Sequence, residues 1–142
     1  MKALKYTLFA LLIAATATTA SAKSIKKDHL YIFGFSASFK DSTVYITNIQ
    51  DVPGAWVDTK TKFLLGRDNY SYQLREYLSD KQQQPNRVCL VIYALTQKKA
   101  EKLYQKMKKK YVEQGKGTYR VQYLTATDFQ FEAVDMSPET EQ

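Results

Sequence analysis

One cysteine, one histidine and one tryptophan stand among 142 residues, with only five glycines and three prolines. Each scarcity closes a class of function. A lone thiol, Cys89, forms no internal disulfide, so the fold is not a disulfide-stapled scaffold. His29 and Cys89 together fall short of a four-ligand zinc set, and no metal or other cofactor is expected. A His–Cys dyad would need His29, at the start of a strand, to meet Cys89 in the middle of an apolar run. No glycine-rich phosphate loop, GxSxG or HExxH motif occurs. An enzyme is therefore not expected. The remaining acid–base candidates are Asp51, Asp58 and Asp68, which share one irregular stretch and would need to face one another.

Long apolar runs are missing too. The longest near the N-terminus, residues 7–15 (TLFALLIAA), is too short to span a bilayer as a helix. It follows Lys2 and Lys5 and precedes Ala20-Ser21-Ala22, a small-x-small cleavage pattern. Residues 1–22 are thus expected to be a cleaved secretory signal peptide, with a mature chain from Lys23 that has no transmembrane segment. No cysteine lies near the cleavage site for lipid attachment. The expected location is outside the cytoplasm, in the periplasm or extracellular space of a bacterium. Nucleic acid is then not an expected partner.

What is abundant is lysine, and it is concentrated. The chain carries a formal charge of +7. Between Thr96 and Gly117 lie eight lysines and two glutamates, a net +6. With Lys2 and Lys5 removed, the rest of the mature chain is close to neutral at −1. The same stretch reads as an amphipathic helix. Thr96 fits the N-cap, and Ala100, Leu103, Tyr104, Met107 and Tyr111 recur at helical spacing. Opposite that stripe fall Lys98, Lys99, Lys102, Lys106, Lys109 and Lys110, a candidate anion-binding face. A merely solubilising surface is the plain alternative, since charge runs commonly mark solvated faces. Lys98 and Lys99 favour the functional reading. In the first helical turn the macrodipole disfavours cations by about 0.3–1 kcal/mol each.

The remaining elements come from periodicity. Residues 30–39 alternate and residues 43–49 are β-branched and aromatic, which predicts an antiparallel hairpin. The eight apolar residues 88–95 predict a strand buried on both faces and central in its sheet. Cys89 would then be an inert core residue. A helix capped by Asp68 or Asn69 is predicted through Ser79, with Tyr70, Leu74, Tyr77 and Leu78 inward. Residues 119–124 and 129–134 read as strands, and residues 135–142 as a disordered acidic tail. The order ββαβαββ predicts one α+β domain over residues 23–134. It would be a two-layer sandwich with an about five-stranded mixed sheet and both helices on one face. A second candidate surface is the irregular stretch before and into the first helix, where Trp56, Arg67, Tyr70 and Tyr72 offer aromatic anchors and a guanidinium for a protein or sugar.

The leader, together with YIFGFSASFKDSTVYITNI (residues 31–49) and LLGRDNYSYQLREYL (residues 64–78), resembles small exported proteins of unknown function from Bacteroides-like bacteria. That resemblance implies export and no particular activity. The layout is also similar to the peptidoglycan-binding SPOR domain, a small α+β sheet with helices on one face. Its strand–helix–strand repeat differs from the opening hairpin here, so no binding residues carry over. Taken together, the sequence points to a non-catalytic envelope binding module with an anionic polymer or acidic protein as partner. An adaptor using the aromatic stretch is the alternative.

Overall fold

The computed structural model describes residues 23–138. The expected signal peptide and residues 139–142 of the expected tail lie outside the described residues. A small antiparallel ribbon pairs β1 (Ser24–Lys26) with β5 (Trp56–Asp58). The main sheet is built on β2 (Tyr31–Ala37). On one side, all seven β2 residues pair antiparallel with β6 (Val88–Ala94). On the other, β2 pairs with β3 (Thr43–Thr47) and then β4 (Gln50–Asp51), and β3 runs parallel to β7 (Arg120–Leu124). The order is β6–β2–β3–β7, with β4 continuing the line of β3. The predicted hairpin is present. Its register changes by one residue between the Phe35↔Ile46 and Ile32↔Gln50 pairs, the signature of a β-bulge. At the bulge the Gly34 N–H donates to Thr47 Oγ1 at 2.8 Å, so a side chain supplies the missing ladder bond.

The α+β class, the mixed sheet and the two helices stand as expected. The placing of both helices on one face does not. Adjacent strand residues point to opposite faces. Phe33 and Phe35 meet Tyr104 and Tyr111 of the lysine helix at ring separations of 5.3 and 4.7 Å. Gly34, between them, faces Leu74 of the first helix, whose Cδ2 would lie 2.7 Å from a Cβ placed there. The helices therefore cover opposite faces. The reason is that the sheet is apolar on both sides, and one helical layer can shield only one of them. Phe35, Val44 and Ile46 form the core beneath the lysine helix, while Ile32, Val91, Leu124 and the first helix form the other.

A second correction concerns β6. The strand hidden on both faces is β2, and β6 is an edge, with Val88 and Leu90 exposed. Gly34 and Ser36 disguised the second buried face of β2: Gly34 is small where Leu74 and Phe131 approach, and the Ser36 hydroxyl is buried as an acceptor for Arg87.

Helix α1 (Arg67–Lys81) begins earlier than predicted. Gly66 is its N-cap at φ 71°, with no side-chain cap, and Tyr70, Leu74 and Leu78 are buried. Helix α2 (Gln97–Lys108) begins as predicted, with Thr96 Oγ1 accepting the Lys99 N–H at 3.3 Å. It continues into one π-helical turn (Lys109–Glu113) and ends near Gly117, whose φ is 81°.

Residues 129–134, expected to be a strand, make no sheet ladder. They form a strap held by side chains. The Gln50 amide donates to Phe129 O and accepts from Phe131 N, both at 2.8 Å. Gln73 does the same for Glu132 O and N, both at 2.9 Å, and Tyr70 Oη accepts from Val134 N at 2.9 Å. Two glutamines thus imitate the peptide groups of a neighbouring strand. Beyond the strap, Met136 packs on Gly66 and Asp135 accepts from Ser137 N. Among the described residues no helix is long and apolar enough to cross a membrane.

Candidate functional site

The lysine face is positioned by the packing beneath it. Ala100 is buried, and the Tyr104 and Tyr111 rings are fixed against Phe33 and Phe35. With that stripe anchored, helical geometry turns Lys98, Lys99, Lys102, Lys106, Lys109 and Lys110 outward, and all six are exposed. The only ion pairs among the described residues are His29–Asp51 and Arg87–Asp41. No described carboxylate therefore lies within ion-pair distance of any of the six. The first turn of α2 holds no acid to offset Lys98 and Lys99.

Lysine and tyrosine interleave at the border of this face. Lys108 Nζ lies 5.8 Å from the Tyr104 ring and 5.6 Å from the Tyr123 ring, and Lys110 Nζ lies 5.4 Å from Tyr111. These separations suit cation–π attraction. Burial raises the Tyr104 hydroxyl above its ordinary pKa, keeping it a neutral donor. A groove of about 620 Å³ runs along the helix between Ile49, Lys98, Glu101, Lys102, Tyr104 and Gln105. The arrangement offers cations and tyrosine hydroxyls to an elongated anion.

The aromatic stretch does not assemble into a second site. Trp56 is half-buried in β5, opposite Lys26 in the ribbon. Tyr70 is buried, with its hydroxyl engaged by the strap. Tyr72 is exposed and donates to Glu76 at 2.8 Å. Arg67 donates to Val91 O at 2.8 Å and lies over the Tyr93 ring. Tyr70 is thus corrected from a binding candidate to a core residue. Its helical phase points it at the sheet, away from Tyr72.

Asp51 and Asp58 are engaged separately. Asp51 pairs with His29 Nδ1 at 2.7 Å on an exposed site. Asp58 Oδ1 accepts the N–H groups of Thr61 and Lys60, which hold its carboxyl below the ordinary value. Asp68 sits in the first turn of α1. Cys89 is half-buried at the β6 edge rather than in the core, 3.5 Å from Ser36 Oγ. Burial pushes its thiol pKa up, which keeps it protonated and unreactive at neutral pH.

Sequence reasoning missed the buried Arg87. Its guanidinium is 3% exposed and donates to Ser36 Oγ, Asp41 and Thr43 O, against the Tyr45 ring. Every donor direction is taken up by neighbours that tie the β2–β3 turn to the start of β6, which is structural chemistry. The only signal was an arginine placed directly before an apolar run. No protein-family model, no curated protein and no solved structure matches this chain.

Proposed function

We propose that the chain is an exported, non-catalytic binding module of the bacterial cell envelope that captures an anionic envelope polymer or an acidic protein on the exposed face of α2. The observation that carries this reading is the set of six exposed lysines with no described carboxylate at ion-pair distance. Neighbouring lysines on one helix face stand about 5–6 Å apart. That is shorter than the roughly 8 Å Debye length at physiological salt, so their fields add. A surface shaped for stability alone would intersperse acids at i,i+4 and leave the first turn free of cations. The tyrosines bordering the face add hydrogen-bond donors and flat apolar surface beside the charge.

Titration with a soluble polyphosphate and a soluble polyuronate, at low and high salt, tests the proposal. Binding is expected to weaken steeply as salt rises, and to weaken with each lysine changed to glutamine. Binding that ignores salt would sink the electrostatic mechanism.

A further inference from the structure

The free edge of β6 is the most pointed feature outside the lysine face. The Gly34 N–H is directed at Thr47, on the β3 side of β2. Gly34 pairs with Val91, so this is a non-hydrogen-bonded pair, and the Val91 N–H and C=O face away from β2. The Arg67 bond to Val91 O reports the same direction independently. By alternation, Cys89 also presents its backbone N–H and C=O to the open edge. Among the described residues β6 has a strand partner on one side only. Residues 88–95 contain no charged side chain, unlike the other edge strand, β7, which carries Arg120. Edges without charge or cover are templates for strand addition.

Three observations converge on one register. Arg67 covers the Val91 end of the edge, and the other end is open along a groove of about 490 Å³ lined by Asp68, Tyr72, Arg75, Asn86, Val88 and Cys89. The two exposed apolar residues, Val88 at 50% and Leu90 at 37%, flank Cys89 on the α2 side of the sheet. On the α1 side, Asp68 and Arg75 lie seven residues apart on one helix face, with Ser71 and Tyr72 midway. Helix α1 runs opposite to β6, with Arg67 beside Val91. About 1.5 Å of helix rise per residue against about 3.3 Å per strand residue brings the midpoint of Asp68 and Arg75 alongside Cys89.

We propose that β6 pairs antiparallel with β6 of a second copy of this chain about a two-fold axis at Cys89. The two Cys89 backbones exchange N–H···O bonds. Val88 covers Leu90 of the second copy, and Leu90 covers its Val88. Asp68 meets Arg75 of the second copy, and Arg75 its Asp68. No foreign strand needs this reciprocity, which is why a second copy is the occupant that fits. The sheet becomes continuous across both chains. Because the axis is perpendicular to the sheet, both lysine helices lie on the same side. The lysine helix packs on β6 and β2, so at about 4.8 Å per strand the two helices stand roughly 10–15 Å apart, more than one Debye length, and their repulsion is largely screened. The pairing does not depend on the function proposed above. If both hold, the dimer presents two anion-binding faces in one direction.

Sedimentation velocity across a concentration series tests this on the chain from Lys23 onward, which holds every described element. A monomer–dimer equilibrium is expected. Val88→Lys and Leu90→Lys are each expected to raise the dissociation constant about tenfold or more. Asp68→Arg should also weaken the dimer, and adding Arg75→Asp should restore it. A monomer at every concentration overturns the proposal. So does a dimer indifferent to both lysine variants, and failure of the charge reversal to restore pairing overturns the register.

Discussion

Gln50→Ala is expected to be among the most damaging single polar substitutions in this chain. Gln50 is 8% exposed, and its side-chain amide grips Phe129 O and Phe131 N, both inside the protein. Truncation leaves one buried acceptor and one buried donor without partners. Each such group costs about 1–3 kcal/mol, for a total of about 2–6 kcal/mol. Against a typical stability of about 5–15 kcal/mol, that is a large fraction. The alternative for the variant is to release the strap. That would expose Phe129 and Phe131, which pack on Tyr77 and Tyr70, at about 1.5–3 kcal/mol each, so release offers no cheaper route. Gln73 makes the same pair of bonds at an exposed site, where water can replace them, and Gln73→Ala should cost about 1 kcal/mol or less. Urea unfolding of the two variants against wild type decides the matter. A Gln50→Ala chain within about 0.5 kcal/mol of wild type, or equal losses at both glutamines, would refute the account of the strap.

Three further outcomes are expected. Gly34→Ala brings a Cβ within 2.7 Å of Leu74 Cδ2 and 3.1 Å of Phe131 Cζ, so thermal unfolding should show an overpacking loss of about 1–3 kcal/mol; an unchanged midpoint would mean α1 sits less tightly on the sheet. Thr96→Ala removes the cap on Lys99 N and should cost about 1 kcal/mol, read by urea unfolding, with a loss near zero counting against the cap. Stability should hold through neutral pH and fall on the alkaline side. Burial raises Cys89 above its ordinary 9.0, and Tyr70 and Tyr104 above 10.0. The unfolded chain therefore ionises first, and stability declines as pH passes 9 and then 10. A melting temperature that rises across that range would contradict the burial of these groups.

The helices were legible because their signals are local. Thr96, the five-residue apolar stripe and the lysine arc are all fixed by rotation per residue, and the structure places each on its expected face. The hairpin was legible for the same reason. Edge and centre were not, because alternation reports which faces of a strand are covered but not how many neighbours it has. The run at residues 88–95 is apolar yet lies at an edge, while Gly34 and Ser36 made the central strand look half polar. The strap was read as a strand because it is extended; that its partners are glutamine side chains has no periodicity to announce it. Arg67, Tyr70 and Tyr72 looked clustered because they are close in sequence. At about 100° per residue a helix sends them in different directions.

The most direct measurement is co-sedimentation of the chain from Lys23 onward with bacterial envelope fractions at low and high salt. It would be run beside a variant with glutamine at Lys98, Lys99, Lys102, Lys106, Lys109 and Lys110. These lysines are exposed and away from the core, so the variant should fold as wild type does. The account predicts binding at low salt that is lost both at high salt and in the variant. Binding that survives both would contradict it, and so would wild-type protein that fails to bind at low salt.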